Sequence, residues 1–125
     1  MDYKHPQQQI FDAVFASSLA LGYRTVDYLP AEDFGYPFVF IGENFLQTER
    51  NKSILYGRVQ QTVHIYHDRK KRRELTGMML NLEMEIRQLR QTDNFYITVK
   101  DFNSQAMIED NGLLHGILEF DIQFH

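Results

Sequence analysis

An α+β domain, a mostly antiparallel sheet with two helices packed on one face in the order α-β-β-β-α-β-β, is what this sequence predicts, and three stretches predict it. Val59, Val63 and Ile65 alternate with Gln60, Thr62, His64 and Tyr66, the period-two pattern of a half-buried strand. Beyond His67 the period lengthens. Leu75, Met78, Met79, Leu82, Ile86 and Leu89 recur at spacings of three and four, which lines them along one side of a helix. At the end, Leu114, Leu118, Phe120, Ile122 and Phe124 alternate with His115, Glu119, Asp121, Gln123 and His125, again a strand. Helices are too few to interleave every strand, so most neighbouring strands are expected to be antiparallel.

The remaining elements follow in chain order. Over residues 6–21, Ile10, Phe11, Val14, Phe15 and Leu21 form an apolar stripe, Pro6 suits a first helical turn, and Gly22 suits a stop. A short strand is predicted over residues 24–29, followed by a surface connection punctuated by Pro30, Gly35 and Pro37. Residues 38–41, FVFI, are apolar on both alternating faces and predict an interior strand covered on two sides. Residues 43–53 turn polar and are expected to be a projecting loop or hairpin arm. The long strand that follows is expected to bend or bulge near Gly57. Asp68 is expected to cap the second helix, which should run to about residue 91. A strand over residues 95–102, an unassigned stretch over 103–107 and a turn at Glu109, Asp110, Asn111 and Gly112 complete the chain.

A length of 125 residues, 43% of them hydrophobic, fits one domain over residues 1–125 with its own core. With no Cys, a disulfide framework and thiolate chemistry are excluded, and a reducing cytoplasm is the expected place of folding. The first residues, MDYKHPQQQ, lack the apolar core of a signal peptide, and no apolar run approaches the roughly 20 residues that cross a bilayer, so no membrane partner is expected. Net charge is −4, but Arg69, Lys70, Lys71, Arg72 and Arg73 contribute +5. The other eight Lys and Arg face 17 Asp and Glu, leaving −9 on the rest of the chain. An acidic body with one basic spot suits contacts between unlike surfaces.

Candidate chemistry is sparse. His64 and His67 are three apart on a strand, which sends their rings to opposite faces and rules out one shared metal. His115 and His125 share a face but lie far apart along it. Glu119 and Asp121 share a face of the last strand, a pairing that could split two carboxyl pKa values, yet no neighbouring His or Lys completes a catalytic set; a solvated face or half of a subunit contact accounts for them as well. No serine sits in a nucleophile elbow and no glycine cluster resembles a phosphate-cradling loop. Met78 and Met79 read as core filler. The basic run sits where a helix dipole prefers acids, and solvent, an acidic neighbouring subunit or a nucleic-acid backbone could each face it. No catalytic residue, metal or cofactor is expected.

The N-terminal helix, the strand PFVFIG, the polar arm, the strand and helix VHIYHDRKKRRELTGMMLNLEMEI and the closing strand LLHGILEFDIQF together resemble the tail terminator and tail-completion proteins of tailed bacteriophages, which finish the tail tube and join it to the head. Proteins from prophages of Gram-positive bacteria are among them. The resemblance covers nearly the whole chain in element order, length and local texture, and it contains no catalytic motif. It implies a non-enzymatic virion protein, folded in the host cytoplasm, that assembles as a ring, a hexamer, on the tube end. Its implied partners are copies of itself, the tail tube protein, the head connector and, non-specifically, passing DNA.

No specific residue is carried over by the resemblance. On local reasoning, Arg69, Lys70, Lys71, Arg72 and Arg73 are expected to meet an adjacent subunit or line a DNA channel. Glu119 and Asp121 are expected at a subunit contact, and Glu49, Arg50 and Lys52 lie on an arm able to reach a neighbour. The competing expectation is a free-standing binding module for nucleic acid or protein. An enzyme would need a pocket gathering residues such as His64, Glu119 and Asp121 on one wall.

Overall fold

The computed structural model describes residues 4–48 and 56–125. Helix α1 spans Pro6–Ala20, strand β1 Thr25–Val26, β2 Phe38–Thr48, β3 Gly57–His67, helix α2 Arg72–Arg87, β4 Ile97–Ile108 and β5 Leu114–Phe124. The order α-β-β-β-α-β-β is the one the sequence predicts. The five strands form one sheet in the order β1-β2-β3-β5-β4, with β1 parallel to β2 and every other pair antiparallel.

Alternation decides which side of the sheet is covered. Val59, Val63 and Ile65 of β3 pair with Ile122, Leu118 and Gly116 of β5, so all point to one side, where α1 and α2 lie. Leu75, Met78, Met79, Leu82 and Ile86 close that side from α2, and Ile10 and Val14 from α1. Burying each large aliphatic side chain in such a layer contributes roughly 1.5–3 kcal/mol. Gly116 lets α2 come close, since a Cβ there would lie 2.8 Å from Met79 Sδ.

Polar residues also enter this layer, and two glutamines there are fully bonded. Gln9 is 5% exposed. Its Nε2 donates to Lys4 O and Asn94 Oδ1, and its Oε1 accepts from Thr92 Oγ1 and Asn94 N, which ties α1 to the connection between α2 and β4. Gln61 is wholly buried, and its Nε2 donates to the carbonyls of Gly42, Glu43 and Thr62 while its Oε1 accepts from Asn44 Nδ2.

That glutamine explains where the sheet bends. The bulge expected near Gly57 lies instead in β2, between Ile41 and Asn44, and Gln61 bonds the carbonyls that the extra residue turns out of the ladder. Gly57 opens β3; a Cβ there would sit 2.8 Å from Gln47 O and 3.1 Å from the Phe124 ring. A second bulge lies in β4 between Lys100 and Asn103, with Asp101 at φ 57°. The two bulges face neighbouring rungs, Thr62 with Glu119 and Gln61 with Phe120.

Four boundaries differ from the sequence reading. Strand β4 continues through residues 103–107 to Ile108, its exposure hiding the alternation. Helix α2 starts at Arg72 rather than after Asp68, with Lys71 at the N-cap and no capping side chain. Residues 68–71 form a turn closed by Lys71 N–H donating to Asp68 O. This keeps Arg69 and Lys70 out of the helix start, where the macrodipole opposes cations, and brings Glu74 into the first turn instead. The helix ends at Arg87, and Leu89 packs on the core from the turn beyond. Of the polar stretch 43–53, residues 43–48 continue β2 in register with β3, and residues 49–53 lie outside the described residues.

Candidate functional site

The side of the sheet away from the helices carries the alternate residues of the same strands, and rings converge at its centre. Phe38 and Phe40 come from β2, His64 and Tyr66 from β3, and His115 from β5. Tyr66 stacks on His115 with centroids 4.3 Å apart and on Phe38 at 5.2 Å, and Phe40 stacks on His64 at 5.4 Å. Phe34 and Tyr36, from the connection before β2, pack against Phe38 and close one end of the cluster. Arg24 holds that connection, its guanidinium 3.9 Å from the Phe34 ring centroid and donating to Phe34 O at 2.6 Å.

A chain of hydrogen bonds runs through the rings. Glu43 Oε1 lies 2.9 Å from His64 Nε2, His64 Nδ1 lies 2.8 Å from His115 Nε2, and His115 Nδ1 bonds Glu109 Oε1. Four segments thus meet: β2 at its bulge, β3, β5 and the turn after β4. Burial pushes the His115 pKa below its ordinary value against the pull of the Glu109 bond, and the charge of His64 pushes the same way. Burial alone would raise the Glu43 pKa, but its bonds from His64 and from its own N–H bring it below the usual carboxylate range. Burial, then the charges of Glu109 and Glu43, raises that of Tyr66.

The predicted candidates fall in three places. His64 and His67 lie on opposite sides of the sheet, as their spacing requires. His67 is 3% exposed under α2, accepts from Asp68 N–H at Nδ1, and holds Nε2 3.2 Å from Glu74 Oε1 without hydrogen-bond geometry. Arg69, Lys70 and Lys71 form the exposed turn before α2, and Arg72 and Arg73 its exposed first turn. Among the described residues, none of these five joins an ion pair. Glu119 and Asp121 share the open side of β5; Asp121 lies 3.8 Å from Arg58, and Glu119 pairs across the ladder with Thr62 and Asn103. Glu49, Arg50 and Lys52 lie outside the described residues.

Sequence reasoning missed the partnership of His64 with His115 and the roles of Glu43, Glu109 and Gln61. The signal was present only in part. His115 was placed on the open side, but its meeting with His64 depends on the register that sets Tyr66 opposite it.

Among the described residues, no group of three or more His, Asp or Glu is arranged to hold a metal ion, and no helix is long and apolar enough to cross a membrane. A cleft of about 340 Å³ between α1 and the connection before β4 is lined by Lys4, Gln9, Asp12 and residues 91–93, away from the histidines.

No protein-family model and no curated protein matches this chain. Among solved structures, a chain from the virion of a native gene transfer agent (GTA) particle is similar, with a TM-score of 0.69 and 9% identity, over 96% of this chain and 94% of that one. The likeness is one of fold, held over nearly the full length of both chains.

Proposed function

We propose that this protein is a structural, non-enzymatic virion subunit that caps or completes a phage tail tube and joins it to the head connector, assembling as a ring. The observation that carries the reading is the fold, similar over 96% of the chain to a component of a virion particle. The sheet supports assembly by repetition. Among the described residues, its outer strand β4 pairs only with β5, and β2 beyond Phe40 pairs only with β3. These are two unlike free edges on opposite sides of one sheet, with Ile108 and Phe45 exposed along them. Meeting of unlike patches is the heterologous contact that closes a ring, and strand addition at a free edge is a common way to make it. The basic turn at residues 69–73 would face an adjacent subunit or passing DNA.

The test is to purify the protein and mix it with assembled tail tubes, following mass by light scattering and tube ends by electron microscopy. Rings, alone or on tube ends, are expected. A protein that stays monomeric beside the tubes and leaves their growth unchecked overturns the reading. The five cations, which join no ion pair among the described residues, favour one alternative, a nucleic-acid binding module; salt-sensitive DNA binding by a monomer would select it.

A further inference from the structure

The hydrogen-bonded chain on the open side of the sheet has an uneven proton count. Three bonds link Glu43, His64, His115 and Glu109, and each bond needs one proton. Ionised carboxylates bring none, and two neutral imidazoles bring one each, so the neutral chain leaves one bond unfilled. The two histidine nitrogens meet edge to edge, 2.8 Å apart with ring centroids at 5.0 Å, which places their lone pairs face to face unless a proton lies between them. The His64 and His115 side chains are 13% and 8% exposed, so water is a poor substitute at that point.

We infer that the His64–His115 pair is a one-proton site, and that its proton fastens Glu43, and with it the bulge at the start of the outer half of β2, to the open face. With the proton bound, one ring is imidazolium and all three bonds are filled. Without it, one bond opens, and Glu43 is the group that leaves, because its side chain is 72% exposed and hydrates readily, whereas that of Glu109 is 37% exposed. A second proton would set two imidazolium rings nitrogen to nitrogen and is resisted. The titratable groups facing the pair are Glu43 from β2, Tyr66 from β3 and Glu109 from the turn after β4. Both helices lie on the other side of the sheet. The inference is independent of the proposed assembly, since it concerns a single chain.

The test is a ¹⁵N and ¹³C NMR titration of the full chain across about pH 5 to 9, the range in which imidazoles titrate. His64 and His115 are expected to shift in one shared step for the first proton, with the Glu43 carboxyl carbon and the Gly42 and Asn44 amides following the same midpoint. In Glu43→Gln that midpoint is expected to fall by about one pH unit, the usual effect of removing a bonded carboxylate. In His115→Asn, His64 is expected to titrate alone with no response to Glu109→Gln. Separate midpoints for the two rings, a midpoint unmoved by Glu43→Gln, or a Glu43 carbon silent at that midpoint overturns the inference. Glu43 is exposed, so its variant remains decisive even if His115→Asn does not fold.

Discussion

The two sides of the sheet are made by the same strands, residue by alternate residue, yet they are held by different physics. The helix side is mostly apolar and closed by α1 and α2, and its order comes chiefly from packing density, with a few buried, bonded polar groups such as Gln9 and Gln61. Among the described residues, the open side has no helix over it. Its centre is ordered by stacked rings and a line of hydrogen bonds, and a hydrogen-bonded array tolerates far less misplacement than a methyl layer. At its apolar positions the first side therefore accepts substitutions of similar volume, while the other side depends on register and on protons.

Substitutions should expose this difference in graded steps. Leu82→Ala empties a wholly buried position under the sheet and is expected to cost about 3 kcal/mol in denaturant unfolding, with little change in the histidine NMR signals. Gln61→Leu, on the same side, keeps the volume but strips bonds from the bulge carbonyls, and about 2 kcal/mol should be lost. A much smaller loss would mean the bulge is held by its neighbours instead.

Acid should act chiefly through the open side. The folded-state pKa of His115 is below its unfolded value, so the unfolded chain binds more protons as pH drops through about 6.5. The His115 contribution is then full above that value and declines below it, as a second charge is forced onto the pair; Glu43, also lowered, adds a loss in the same direction below its ordinary 4.5. The denaturation midpoint is expected to be lower at pH 5.5 than at pH 7.5, and His115→Asn should flatten that slope. Smallest of all, Arg58→Ala removes an ion pair in which Arg58 is 41% exposed, and about 0.5 kcal/mol or less should follow.

The helix side was the legible one. Val59, Val63 and Ile65, the stripe from Leu75 to Ile86 and the alternation of residues 114–124 each announced their position, because burial imposes a period that a single sequence displays. The open side was only half legible. Alternation placed His64, Tyr66 and His115 there, but their meeting is set by pairing across about 50 residues of chain, which local pattern does not encode. The start of α2 was misplaced because Asp68 resembles a cap, while the cations after it keep those residues in a turn. Strand β4 past Asp101 was unreadable because an exposed outer strand has little burial to record.

The bulges leave a mark that a search for kin could use. Before Gly42 the odd-numbered residues of β2 face the core and after it the even-numbered ones do, as Val39, Ile41 and Leu46 show; β4 changes phase likewise at Asp101, with Ile97 and Val99 on one side of the slip and Ala106 on the other. Two frame changes at neighbouring rungs, one on each flank of an unbroken central pair, form a signature of spacing rather than of residue identity. Distant kin too diverged to align by letter should still keep that double slip, since losing either one alone would turn half a strand inside out.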